Sequence, residues 1–163
     1  MKKKMIATLL TAAMAAGSLS GATVFAADAG TDEKVEMADA SDVDGTTITF
    51  WHSMGGVNGE AIDTLVKKFN DENEYGITVD AQYQGEYDDS LNKLKSAQIG
   101  NMGADLVQVY EIGTRFMIDS GWIVPMQQMI DADSYDVSEI EPNLAAYYTI
   151  DNELYSMPFN SST

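Results

Sequence analysis

Three short stretches of this 163-residue chain set an aromatic ring beside polar or acidic groups: Trp51-His52-Ser53, Tyr83 with Glu86 and Tyr87, and Tyr110-Glu111. Rings of this kind pack against carbon skeletons, while carboxylates and hydroxyls hydrogen-bond a ligand's hydroxyl groups. Gathered in one place, such groups suit a polyol or a sugar. Scattered, they are ordinary strand-end packing beside solvated acids, and residue pattern alone leaves both readings open.

Other chemistries lack their residues. His52 is the single histidine, so a multi-histidine metal site is excluded, and any Ser–His–Asp arrangement would have to use it. Ser53 sits beside it without a Gly-x-Ser-x-Gly frame, so His52 is expected to make a structural or ligand hydrogen bond. GGVNG, residues 55–59, has neither the Gly-x-Gly-x-x-Gly spacing nor the Lys-Ser/Thr of a nucleotide loop. No cofactor is expected. Zero cysteines exclude disulfides, Cys-ligated metal and lipid attachment through an N-terminal Cys. A net charge of −17 is too acidic for a nucleic-acid partner.

Whether the three stretches meet depends on the elements that carry them. Residues 46–51 (TTITFW) are all β-branched or aromatic, as a strand in a sheet requires. Ile62, Leu65, Val66 and Phe69 then fall on one helical stripe, with Asn58 as the expected N-cap. A second strand is expected over 76–83, and a helix from Tyr87 with Leu91 and Leu94 inward. Glycines at 100 and 103 end that helix, and a short apolar strand follows over 104–110 (ADLVQVY). Beyond it come short helices near 115–120, 126–130 and 138–147, then two brief strands around a turn at Asp151-Asn152. This βαβαβ order predicts an α/β fold whose mainly parallel sheet is flanked by helices. Right-handed crossovers then bring the three strand C-termini, and the three stretches, to one sheet edge, where open α/β sheets bind ligands.

The N-terminus has another task. Lys2-Lys3-Lys4, an apolar run over 5–16 and Val24-Phe25-Ala26 form a signal-peptide pattern, so residues 1–26 are expected to direct export and be cleaved after Ala26. Residues 27–45 are acidic and poor in apolar groups, which predicts a disordered linker. The domain is expected over 46–163.

Five segments carry a resemblance: FWHSMGG (50–56), LVKKFNDEN (65–73), YQGEYDDSL (83–91), LVQVYEIGT (106–114) and MPFNSST (157–163). In order and spacing the chain resembles the extracellular solute-binding proteins of ABC transporters, in the maltose-binding-like group, and among them those that take up glycerol phosphate. The resemblance implies the N-terminal lobe of a two-lobed, class II periplasmic-binding fold, truncated at the crossover to the second lobe. It implies a monomeric, non-catalytic protein at the periplasmic or extracellular face. Such a protein captures glycerol 3-phosphate or a glycerophosphodiester between its lobes and passes it to a membrane permease with a cytoplasmic ATPase.

By the same resemblance, Tyr87, Glu111 and Ser162 match positions that contact glycerol phosphate, while Trp51, His52 and Ser53 match a cleft-lining segment. Two departures stand out: family members are much longer, and those of single-membrane bacteria are usually anchored through a Cys. A phosphate dianion needs Arg, Lys or backbone amides, and near the expected edge the only basic side chain is Arg115. The anionic end of the ligand is therefore expected to be held by groups outside this chain, and a neutral sugar would satisfy the same half-site. A sugar-binding protein, an exported hydrolase using Glu111 with an acidic partner, and a ligand-sensing receptor lobe are the alternative readings.

Overall fold

The computed structural model describes residues 35–100 and 102–160, which fall into two compact units, 39–115 and 116–160 with 35–38. The signal-peptide pattern lies outside the described residues. The first unit opens with a single turn, α1 (Ala40–Val43), then β1 (Thr47–His52), α2 (Gly56–Glu72), β2 (Thr78–Tyr83), α3 (Tyr87–Ile99) and β3 (Leu106–Val107). Helix α4 (Glu111–Ser120) begins in this unit and runs into the next. The described part of the expected linker departs from disorder: Val43 is buried, and the Gly45 N–H donates to the Gly76 carbonyl at 3.1 Å. One apolar side chain and one glycine turn are enough to dock its last residues.

The sheet is parallel, in the order β2-β1-β3. Strand β1 is central, pairing with β2 from Thr47↔Thr78 to His52↔Tyr83 and with β3 at Phe50↔Leu106 and Trp51↔Val107. Alternation along β1 puts Phe50 and His52 on one face and Trp51 on the other. Phe50, Met54 and Ile62 form the core, with Val66, Val79, Ala81 and Tyr87 packed around them. Ile62 and Val66 are thus the sheet-facing row of α2, whereas Leu65, expected in the same stripe, is exposed. The stripe is narrower because one step around the helix already leaves the sheet.

The start of α2 differs from the expected Asn58 cap. The cap is Gly55, in extended backbone, and the helix begins at Gly56 with φ +55. Gly56 can take that left-handed conformation without the steric cost of a Cβ. A Cβ on Gly59 would come within 2.8 Å of the Met54 carbonyl oxygen, so this glycine lets the helix start close against the strand exit. Two asparagines tie the end of α2 to β2 and to the turn that precedes it. Asn70 accepts from the Val79 N–H at 2.8 Å and donates to the Val79 carbonyl at 3.0 Å. Asn73 accepts from the N–H groups of Tyr75 and Ile77 and donates to the carbonyls of Phe69 and Ile77. The Val79 N–H and carbonyl, edge groups that could pair with another chain, are thereby occupied.

The second unit holds the rest of α4, then α5 (Met126–Asp133), α6 (Pro142–Tyr147), β4 (Thr149–Ile150) and β5 (Glu153–Leu154). Its two strands form an antiparallel hairpin, with Asp151 and Asn152 both at positive φ, the conformation a two-residue type I′ turn requires. Met117, Ile130 and Leu154 are its buried apolar side chains. The last helix is shorter than the expected 138–147 because it begins at Pro142, with Glu141 capping the N–H groups of Asn143 and Leu144. No helix among the described residues is long and apolar enough to cross a membrane.

Candidate functional site

All three stretches lie in the first unit, at the C-terminal edge of its sheet. The edge is laced together by main-chain bonds: Gln84 N–H to the His52 carbonyl and Gln108 N–H to the Trp51 carbonyl, each 2.9 Å. The loops after β2 and β3 are thus fastened to the end of β1. The C-terminal ends of parallel strands are where such sheets place their ligand loops.

Each stretch contributes differently. His52 is buried, its Nδ1 accepting the Met54 N–H at 3.3 Å and its ring tilted between Phe50 and Tyr83 at 5.5 and 6.0 Å. Burial pushes its pKa below the usual value, with the Asp63 charge pulling the other way, so the buried ring favours its neutral form. Trp51, on the opposite face, donates its Nε1–H to Gln82 Oε1 at 3.1 Å. Ser53 is buried, and its hydroxyl has no hydrogen-bond partner among the described residues.

Tyr87 opens α3, half-buried, its ring stacked on Tyr110 at 5.4 Å and 7°. Glu111 is exposed in the first turn of α4, where the helix dipole favours a carboxylate. Tyr110 joins the two, its hydroxyl donating to Asp88, and that bond holds the phenol above its ordinary pKa. Ser162 lies outside the described residues.

Gln108, Asp88 and Lys93 belong to this edge although sequence reading did not single them out. Gln108 is buried and accepts the Ser53 N–H through Oε1 at 2.9 Å. Lys93 donates from Nζ to the Gln84 carbonyl at 2.9 Å, so Arg115 is not the only basic side chain near the edge. The signal was the α3 spacing: Lys93 lies two turns beyond Glu86, on the helix that follows the β2 loop.

A family model for bacterial extracellular solute-binding proteins matches residues 64–163. The chain belongs to that family. The sn-glycerol-3-phosphate-binding periplasmic protein UgpB of Salmonella typhimurium is 41% identical over 124 residues, 72% of this chain and 28% of the relative. The protein of that name from Escherichia coli K12 is 39% identical over 124 residues, with the same two shares. The chain thus spans little more than a quarter of the length of these extracellular solute-binding proteins. A solved family 1 extracellular solute-binding protein from Alicyclobacillus acidocaldarius superposes with a TM-score of 0.57 at 23% identity, covering 69% of this chain and 28% of that one. That likeness supports the α/β fold.

Proposed function

We propose that this chain supplies one wall of the ligand cleft of an exported solute-binding protein, the capture component of an ABC importer for sn-glycerol 3-phosphate or a glycerophosphodiester. The observation that carries the reading is the 41% identity to a protein named for binding sn-glycerol 3-phosphate, over a stretch that includes the sheet edge. Tyr87 packs its ring against the ligand's carbon chain, and Glu111 accepts from its hydroxyls. The unpartnered Ser53 hydroxyl adds a further donor or acceptor beneath them. Trp51 and His52 shape the floor of the cleft rather than reaching the ligand, and Ser162 is a further ligand contact in this reading. The edge offers more carboxylate than cation, so it suits the hydroxyl-bearing end, with the phosphate held chiefly from the facing wall.

The role is binding and delivery, without bond cleavage. The partners are a membrane permease and its cytoplasmic ATPase, and the protein acts as a monomer outside the cytoplasm after its leader, residues 1–26, is removed. Within the chain, residues 46–163 act as one lobe and 27–45 as its tether.

Calorimetric titration of the protein expressed from its complete reading frame tests this directly, with sn-glycerol 3-phosphate, a glycerophosphodiester and maltose in turn. Micromolar binding of a phosphorylated ligand, about 8 kcal/mol, is the expected result. Binding of maltose alone would keep the family and replace the ligand.

A further inference from the structure

Tyr110 touches both residues on which the proposed ligand wall depends. Its peptide runs directly into Glu111, the first residue of α4, and its carbonyl accepts the Gly113 N–H at 2.9 Å, shaping the entry to that helix. Its ring lies parallel to that of Tyr87. Its hydroxyl donates to Asp88, the neighbour of Tyr87 in the first turn of α3. Tyr87 and Glu111 stand on different helices, after different strands, and Tyr110 links them through its side chain and its backbone.

We infer that Tyr110 is a positioning residue that fixes the Tyr87 ring relative to the Glu111 carboxylate, so that the two meet a ligand as one preset surface. The physical reasoning is that of preorganisation. An unbraced tyrosine samples several rotamers and must be ordered when a ligand arrives, at a cost in affinity. Stacking removes that freedom beforehand. The bond to Asp88 holds the bracing ring in turn, since a carboxylate acceptor is stronger than a neutral one. Tyr87 also packs against the core of Phe50, Met54 and Ile62, while Tyr110 is only half-buried and Asp88 exposed, so the hydrogen bond that holds the bracing ring lies toward the surface.

The inference rests on Tyr87 and Glu111 being ligand contacts, and the test separates the two claims. Full-length wild type, Tyr110→Phe, Tyr110→Leu, Tyr87→Ala and the double variant Tyr87→Ala/Tyr110→Leu are titrated with sn-glycerol 3-phosphate, after thermal melts establish that each is folded. Tyr110→Phe keeps the stack and is expected to bind within about threefold of wild type, as loss of one remote hydrogen bond allows. Tyr110→Leu removes the ring face and is expected to weaken binding about tenfold or more. It should add almost nothing in the Tyr87→Ala background, because residues acting as a unit are not additive. Ring-proton resonances of selectively labelled Tyr87 should move in Tyr110→Leu and stay in Tyr110→Phe, in the absence of ligand.

Wild-type binding that Tyr110→Leu leaves intact, or that it weakens equally with and without Tyr87, would overturn the positioning role alone. Unmoved Tyr87 resonances in Tyr110→Leu would overturn it as well. A wild-type protein that ignores the ligand would instead overturn the reading of the wall, and the role of Tyr110 with it.

Discussion

Ser53 donates its backbone N–H to Oε1 of the buried Gln108 at 2.9 Å, binding the loop that leaves β1 to the end of β3. The two residues are 55 positions apart, and the bond is buried. Truncating the acceptor strands a buried amide, which costs about 1–3 kcal/mol. Gln108→Leu should therefore lower the urea midpoint with little change in slope. An unchanged midpoint would show that the loop is held by other contacts.

Ser90 presents the opposite case. It is 2% exposed, on the inner face of α3, and its hydroxyl has no partner among the described residues. A buried hydroxyl without a hydrogen bond lowers stability, and alanine is also the better helix former. Ser90→Ala should raise stability by about 1 kcal/mol. Chemical denaturation is the check, and a destabilised variant would mean that the oxygen contributes more through packing than it loses through desolvation.

Asn70 turns a helix side chain into an extra strand partner by engaging both main-chain groups of Val79. Asn70→Ala leaves that N–H and carbonyl on an open edge, at a cost of about 1–2 kcal/mol. It should also promote association, since unpaired strand edges recruit other chains. Sedimentation alongside the melt would reveal both effects.

His52 makes the protein acid-sensitive. Burial is the leading influence on its ring and lowers the folded-state pKa below 6.5. Between that lowered value and 6.5 the unfolded chain binds more protons than the folded one, so stability falls as pH drops through this window. Above it both states are neutral and this contribution is flat. The midpoint-against-pH curve should therefore bend downward below about pH 6.5 in wild type, and less so in His52→Gln. Parallel curves would assign the acid loss to carboxylates.

Much of the first unit was legible in the sequence because its elements have clean periods. The β-branched and aromatic run gave β1, the Gly100 stop gave the end of α3, and βαβ order gave a parallel sheet whose three C-termini share one edge. The placing of Trp51, His52, Ser53, Tyr87 and Glu111 near that edge follows from the same order. Side-chain fate was less legible. That His52 is buried under Tyr83, that Trp51 is engaged by Gln82, and that Tyr110 braces Tyr87 all depend on pairing across elements. The Asn58 cap does not form because a glycine at positive φ starts the helix three residues sooner than side-chain capping rules suggest. Docking of residues 43–45 was hidden by the acidic composition around a single valine.

The central claim is that the exposed Glu111 carboxylate, at the head of α4, takes hydrogen bonds from the ligand. The most direct measurement is the affinity of full-length protein for sn-glycerol 3-phosphate before and after Glu111→Gln. That change removes the charge while keeping the shape of the side chain. Loss of a charge-assisted hydrogen bond predicts a drop of about ten- to a hundredfold. Unaltered micromolar affinity in Glu111→Gln would contradict the account and move the ligand away from this edge of the sheet.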